Sequence, residues 1–268
     1  MGSFSIERKN ISMLVEISKE AGRAIMDIYA TDFEVHSKKD HSPVTQADIL
    51  SHNIISESLS KMTPNIPILS EESRSISFKE RALWKTYWLI DPLDGTKEFI
   101  NKNDEFTTNI ALIHKHKPIL GVIHSPALQE TYWGTESDGS YFQKNQSQPD
   151  MIKVSSRKDG VLRLLTSRSH ISDELNQFIS NNNDLKIIKM GSSLKLCHIA
   201  KGEADIYLRY GPTSEWDIAA GHAIVNFAGG FINSIRGEEL GYNMKNSLIN
   251  PSFIVSNSKK LSEEFFFK

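Results

Sequence analysis

The chain has 268 residues, with 31 Lys and Arg against 33 Asp and Glu and a formal net charge of −2. No basic tail or stripe is present, which excludes nucleic-acid polymers as partners; an anionic small molecule would need local help from metal, backbone amides and a few cations. One cysteine, Cys197, rules out an intrachain disulfide and suits a reducing cytoplasm, and no run approaches the roughly 20 apolar residues of a bilayer span.

Ile11, Leu14, Ile17, Ala21, Ala24 and Ile28 share one helical stripe, so an amphipathic helix comes first. The N-terminus before it lacks the charged-then-apolar layout of a signal peptide. A short strand over 33–37 and a polar loop over 38–43 follow. Thr45 then reads as an N-cap with Asp48 closing a capping box, and Leu50, Ile54, Ile55, Leu59 and Met62 continue that helix on one face. Thr63-Pro64-Asn65 ends it. A short apolar strand over 66–69 runs into Ser70-Glu71-Glu72.

The organising stretch is Trp88-Leu89-Ile90-Asp91-Pro92-Leu93-Asp94-Gly95-Thr96-Lys97-Glu98-Phe99. Residues 87–90 are uncharged β-formers and read as a buried strand. Pro92 removes a ladder donor, so the strand is expected to end there and release Asp91 and Asp94 together. Gly95 permits close backbone approach to a ligand, and Thr96 opens a helical turn. Carboxylates beside amide N–H groups suit a metal ion and a phosphate held side by side.

Strands are expected over 107–113 and 119–123, joined by a turn in which His114 and His116 are solvated, and again over 131–133 and 140–142. The polar stretch 144–150 reads as a lobe boundary, giving an N-terminal α+β lobe over 1–148 and a C-terminal α/β lobe over 149–268. In the second lobe strands over 161–166, 185–190 and 206–208 alternate with helices over 173–179, 194–200 and 217–227. Gly229-Gly230 stops the last of these, and a strand over 253–255 and a short helix close the chain. Layers of mixed strands and helices, an α+β class, are the expected architecture. Cys197 lies in an apolar stretch and reads as a buried structural thiol.

Four acidic stations, Asp48, Glu71, the Asp91/Asp94 pair and Asp217, each sit at a strand end or helix start beside an apolar segment. Carboxylates there are expensive to desolvate unless a cation or donors satisfy them. Taken singly, Asp48 and Asp217 also read as helix caps and Glu71 as a solvated loop acid. Taken together, an all-oxygen set without His or Cys favours Mg²⁺ over zinc, and two or more ions could share it. Lys195 follows Gly191-Ser192-Ser193 in the first turn of its helix, where a cation opposes the macrodipole unless an anion lies nearby.

Leu69-Ser70-Glu71-Glu72, Asp91-Pro92-Leu93-Asp94-Gly95-Thr96 and Trp216-Asp217-Ile218-Ala219-Ala220-Gly221 resemble the three signatures of the inositol monophosphatase superfamily. Lys97-Glu98-Phe99, Ser167-Arg168-Ser169-His170, Gly191-Ser192-Ser193-Leu194-Lys195 and Gly211-Pro212-Thr213 resemble its bisphosphate nucleotidase branch. The resemblance implies a layered αβαβα sandwich and a Mg²⁺-dependent, lithium-sensitive phosphatase using two or three ions. It implies Glu71, Asp91, the Leu93 carbonyl, Asp94 and Asp217 as metal ligands. Asp48 and Thr96 would orient and deprotonate the attacking water, with Glu71 beside them in the catalytic set. Gly95 and Thr96 amides would hold the scissile phosphate. Glu71, Leu93, Asp94 and Asp217 would also border the substrate, and Gly191, Lys195 and His170 would contact the rest of it.

The substrate so implied is a small bisphosphate nucleotide, adenosine 3′,5′-bisphosphate or its sulfated analogue. The protein would be a cytoplasmic monomer or homodimer, with peripheral attachment to the inner face of a membrane left open. Rival readings are an inositol or sugar phosphatase on the same fold, a haloacid dehalogenase-type phosphatase and a non-catalytic phosphate sensor. The second expects acids two apart near the N-terminus, and the third a lost metal ligand or a lost Thr96; neither mark is present.

Overall fold

The computed structural model describes residues 8–37, 43–73, 76–157, 160–168, 171–182 and 184–265. Helix α1 (Arg8–Tyr29) is followed by a small hairpin of β1 (Val35–Ser37) and β2 (Pro43–Thr45), then by α2 (Gln46–Met62). A seven-stranded sheet takes β3 (Ile68–Ser70), β4 (Thr86–Asp94), β5 (Thr107–His114), β6 (Lys117–Ser125), β7 (Glu130–Thr135), β8 (Gly139–Lys144) and β9 (Asp150–Ile152) in sequence order. Only β3 and β4 run parallel in it. Between its strands lie the short helices α3 (Phe78–Arg81) and α4 (Thr96–Ile100).

The second sheet contains β10 (Leu162–Ser167), β11 (Leu185–Met190), β12 (Ile206–Arg209), β13 (Phe231–Ser234) and β14 (Phe253–Ser256), in the order β11-β10-β12-β14-β13. The helices interleaved with it are α5 (Asp173–Ser180), α6 (Leu194–Ala200), α7 (Glu215–Phe227) and α8 (Lys259–Phe265).

The layering follows from side-chain alternation along the strands. On β4 and β5, Trp88, Ile90, Ile110 and Leu112 face Leu14, Val15, Ile55 and Leu59 of α1 and α2. Their neighbours Tyr87, Leu89, Ala111 and Ile113 face the other way, into a core shared with Leu196, Ile218, Ala219 and Ile224 of α6 and α7. That core continues to Leu165, Tyr207 and Val255 of the second sheet. The far face of that sheet, with Leu164, Ile206 and Ile254, packs on Leu175 of α5 and Leu261 of α8. Helix, sheet, helix, sheet, helix is the expected αβαβα sandwich. Gly121 lets α7 approach the first sheet, since a Cβ there would lie 2.1 Å from the Ala220 carbonyl oxygen.

Several local expectations need correction. Strand β4 does not end at Pro92; it continues to Asp94 through a register shift between Asp91 and Asp94, where the missing N–H costs no regular ladder bond. On α2 the buried face is Ala47, Asp48, Ser51, Ile55 and Leu59, while Leu50 is exposed. His114 and His116 are half-buried, with ring nitrogens against Thr86 Oγ1 (2.7 Å) and the Tyr242 carbonyl (2.8 Å). Helix α3 and strands β2, β9 and β13 have no counterpart among the elements expected from the sequence. The polar loop over 38–43 lies outside the described residues except for Pro43. Cys197 is fully buried, as expected.

Candidate active site

The register shift in β4 builds the first wall of the site. Ser51 Oγ of α2 donates to the Pro92 carbonyl at 2.7 Å, fastening the irregular segment to the helix that carries Asp48. Glu71 follows β3, and its N–H donates to the Ile90 carbonyl at 3.2 Å, which sets it beside Asp91. Gly95 adopts the left-handed conformation (φ +89°) as N-cap of α4, and a Cβ there would crowd the Glu105 carbonyl at 3.1 Å. Asp217 arrives on the first turn of α7, where a capping box with Ser214 orients it: the Ser214 N–H donates to Asp217 Oδ2 at 2.8 Å.

These elements converge on a cavity of about 290 Å³ lined by Glu71, Asp91, Leu93, Asp94, Gly95, Thr96 and Asp217 on one side. Ser167, Ser192, Ser193, Lys195 and Arg209 line the other, at or just beyond the carboxyl ends of the parallel strands β10, β11 and β12, where α/β sheets commonly bind ligands. Carboxylate oxygens of Glu71, Asp91 and Asp217 lie within 4.8 Å of one another. Burial, then repulsion from Glu71, Asp94, Asp217 and Asp48, pushes the Asp91 carboxyl well above its ordinary range. Burial and the Asp94 charge do the same to Asp217, against the Ser214 N–H. Asp94 is raised to about 6 by burial, with Lys195 and the Ser193 N–H pulling it back. Buried, mutually repelling, all-oxygen donors suit a hard divalent cation.

Thr96 Oγ1 donates to Asp48 Oδ1 at 3.2 Å and also lies 3.3 Å from the Leu93 carbonyl. Asp48 is buried, and its other oxygen accepts from the Thr45 N–H and hydroxyl, both at 2.8 Å. The expected Asp48–Thr96 pair is therefore assembled at the cavity edge, with Asp48 serving as cap and as partner of Thr96 at once.

Lys195 is not a solvated lysine. It is 6% exposed, donates to the Met190 and Ser192 carbonyls, and stands 5.5 Å from the Tyr207 ring centroid. Burial lowers its pKa to about 8, though Asp94 favours the charged form. Gly191 lies behind the cavity lining, its N–H donated to Glu105 Oε2 at 2.7 Å. His170 lies outside the described residues. Sequence reasoning missed Arg209, which lines the cavity on the same side as Lys195; its signal was a charge closing a buried strand immediately before Tyr210-Gly211-Pro212. It also missed Ser193, whose N–H donates to Asp94 Oδ2 at 2.5 Å while its hydroxyl reaches Thr107 Oγ1 and Asn109 Oδ1, each at 2.8 Å.

Residues 7–266 match the model of the inositol monophosphatase family. The chain is 42% identical over 248 residues to the 3′(2′),5′-bisphosphate nucleotidase CysQ of Salmonella typhimurium, covering 92% of this chain and 99% of that one. It is 41% identical to the CysQ of Buchnera aphidicola over 263 residues, covering 94% and 95% of the two chains. Among solved structures, CysQ from Bacteroides thetaiotaomicron superposes with a TM-score of 0.81 at 34% identity, covering 95% of this chain and 100% of that one. The Thermotoga maritima inositol monophosphatase TM1415 gives 0.79 at 25% identity, covering 96% and 98%.

Proposed function

The chain belongs to the inositol monophosphatase family, whose enzymes are metal-dependent, and from that premise we propose that it hydrolyses adenosine 3′,5′-bisphosphate to AMP and phosphate. The observation that carries this reading is the two-sided cavity, with clustered acids on one wall and the cations Lys195 and Arg209 on the other. A monophosphate needs only the first wall. A bisphosphate has a second charge to place, and buried Lys195 with Arg209 matches it. The similarity to CysQ nucleotidases over nearly the whole chain supports the same assignment. The sulfated analogue, with the same 3′-phosphate, is a second substrate on this reading.

Glu71, Asp91, Asp94, Asp217 and the Leu93 carbonyl would hold two or three Mg²⁺ ions. Bound there, magnesium would supply Lewis acidity to the phosphoryl oxygens and to the attacking water. The chain's own groups do the rest. Amides of Gly95 and Thr96 hold the 3′-phosphate against the acid wall. The Thr96 hydroxyl, already directed at Asp48 Oδ1, donates there and accepts a proton from water with its free lone pair, orienting the water's oxygen towards phosphorus. The water oxygen bonds to phosphorus as the P–O3′ bond breaks, its proton passes along Thr96 Oγ1 to Asp48, and the ribose 3′-oxygen takes a proton from solvent water to leave as a hydroxyl. Glu71 borders the same water and phosphate. Lys195 and Arg209 hold the 5′-phosphate and so fix which ester faces the acids.

Among the described residues no helix is long and apolar enough to cross a membrane. Action in the cytoplasm is part of the proposal and rests on the buried free thiol of Cys197. The test is phosphate release from adenosine 3′,5′-bisphosphate, inositol 1-phosphate and fructose 1,6-bisphosphate, each with Mg²⁺, with chelator and with added Li⁺. Preference for the nucleotide, lost in chelator, is expected. A preference for inositol or sugar phosphate would replace the assignment with the rival on the same fold, and undiminished release in chelator would remove the metal from it.

A further inference from the structure

A cavity that grips two phosphates at once works only if its walls keep a fixed separation. One wall hangs from the seven-stranded sheet and the other from the five-stranded sheet. Glu105, between α4 and β5, is lodged between them. Its carbonyl oxygen abuts two glycines, one from each wall: an added Cβ would lie 3.1 Å from it at Gly95 and 3.0 Å at Gly191. Its side chain reaches into the second sheet. Oε2 accepts the Gly191 N–H at 2.7 Å and Arg168 Nε at 2.8 Å, and Oε1 accepts Arg168 Nη2 at 2.6 Å.

Arg168 is itself fastened to the end of β11, its N–H bonding the Met190 carbonyl at 3.2 Å and its Nη2 the Lys189 carbonyl at 3.4 Å. Burial opposes charge on Glu105, but the Arg168 hydrogen bonds and the Gly191 N–H outweigh it and hold the carboxyl below its usual range. The segment so gripped runs directly into Ser192, whose carbonyl accepts from Lys195 Nζ, and Ser193, whose N–H serves Asp94. Movement of Gly191 is therefore transmitted to the cation on one wall and to an acid on the other.

A carboxylate beside a site for polyanions repels the ligand unless it does something else there. Arg168 is 44% exposed, and a pair that open to solvent adds little to fold stability. Its geometry is nevertheless the demanding bidentate kind, and it joins the two sheets next to Ser167 and Ser192 of the cavity lining. Taking the nucleotidase reading as given, we propose that Glu105, clamped by Arg168, is a positioning residue that fixes the distance between the hydrolytic wall and the Lys195–Arg209 wall and so sets the preference for substrates with two phosphates.

The experiment compares adenosine 3′,5′-bisphosphate with 3′-AMP, the same ester without the distal phosphate, in the Mg²⁺-loaded full chain carrying Glu105→Gln, Glu105→Ala, Arg168→Ala or both alanines. Each single variant should raise KM for the bisphosphate about tenfold, the worth of one charge-assisted hydrogen bond, with kcat and the 3′-AMP parameters within about threefold. The double variant should be no worse than the worse single one, because both act through one clamp. Equal losses on both substrates, a fall in kcat without a change in KM, or unchanged KM would overturn the proposal. A lower KM in Glu105→Gln would also overturn it, leaving Glu105 as a mere repulsive charge. If Glu105→Ala does not fold, Arg168→Ala and Glu105→Gln carry the same comparison. Wild-type enzyme that releases no phosphate from the bisphosphate sinks the nucleotidase reading and the clamp's purpose with it, a failure distinct from unaltered variants of an active enzyme.

Discussion

Removing one charge from the acid wall should stabilise the protein without metal and disable it with metal. Asp94 allows the size to be worked out. Its carboxyl is raised from 3.8 to about 6, by burial first, against Lys195 and the Ser193 N–H, with Glu98 and Glu71 adding repulsion. That gap of about two pH units corresponds to at most about 3 kcal/mol at about 1.4 kcal/mol per unit. Asp94 is partly exposed, and solvent screening reduces the figure to about 1.5 kcal/mol. A carboxyl whose folded pKa is raised carries no penalty below its ordinary value, where it is protonated in both states. The penalty grows as pH rises through about 6 and is constant above. Asparagine keeps an oxygen for the Ser193 N–H and removes the charge. In chelator at pH 7.5 Asp94→Asn should therefore melt about 3–6 °C above wild type, and the gain should vanish as pH falls towards 4. With Mg²⁺ the order should reverse, because only wild type gains fully from metal linkage, and turnover should be lost in the variant. Scanning fluorimetry in the two buffers is the assay. A variant several degrees less stable than wild type in chelator at pH 7.5 would refute the repulsion argument and make Asp94 a structural acid.

Thr96→Ala should lower turnover by about 10²–10³-fold while the Mg²⁺ titration midpoint moves less than about threefold, since Thr96 holds a proton path and no ion; unchanged turnover would remove it from the mechanism. Lys195→Met keeps the buried volume and deletes the charge, so KM for the bisphosphate should rise about tenfold or more while 3′-AMP is affected less than about threefold; equal losses would return the cavity to simple monophosphates. Gly121→Ala drives a Cβ to 2.1 Å from the Ala220 carbonyl and should cost about 3 kcal/mol, with a further fall in turnover because α7 also carries Asp217. A melting temperature within about 2 °C of wild type would mean that α7 can retreat from the sheet freely.

What was legible in the sequence is what short segments decide for themselves. Both capping boxes, Thr45/Asp48 and Ser214/Asp217, lie within four consecutive residues, and both form. Strand β11 and helix α6 have the expected bounds because periodicity and breakers agree there. The acids were legible for a related reason: each sits beside an apolar segment, and desolvation makes such a carboxylate conspicuous wherever the chain goes. Pro92 misled because the rule that ends a strand at proline presumes a regular ladder, and a bulge relieves the constraint locally. Leu50 misled because α2 buries Ser51 instead, and Ser51 is worth burying only when the Pro92 carbonyl, 41 residues on, comes to meet it. Gly191, expected beside the substrate, gives its N–H to Glu105 86 residues earlier, and no local pattern encodes that partner. The division has a physical cause. Holding cations needs several like charges brought out of water, and strand ends and helix starts advertise that. Recognising the length of a substrate needs two walls at a set distance, and that distance resides in contacts such as Glu105 to Arg168, which exist only after the two sheets have packed.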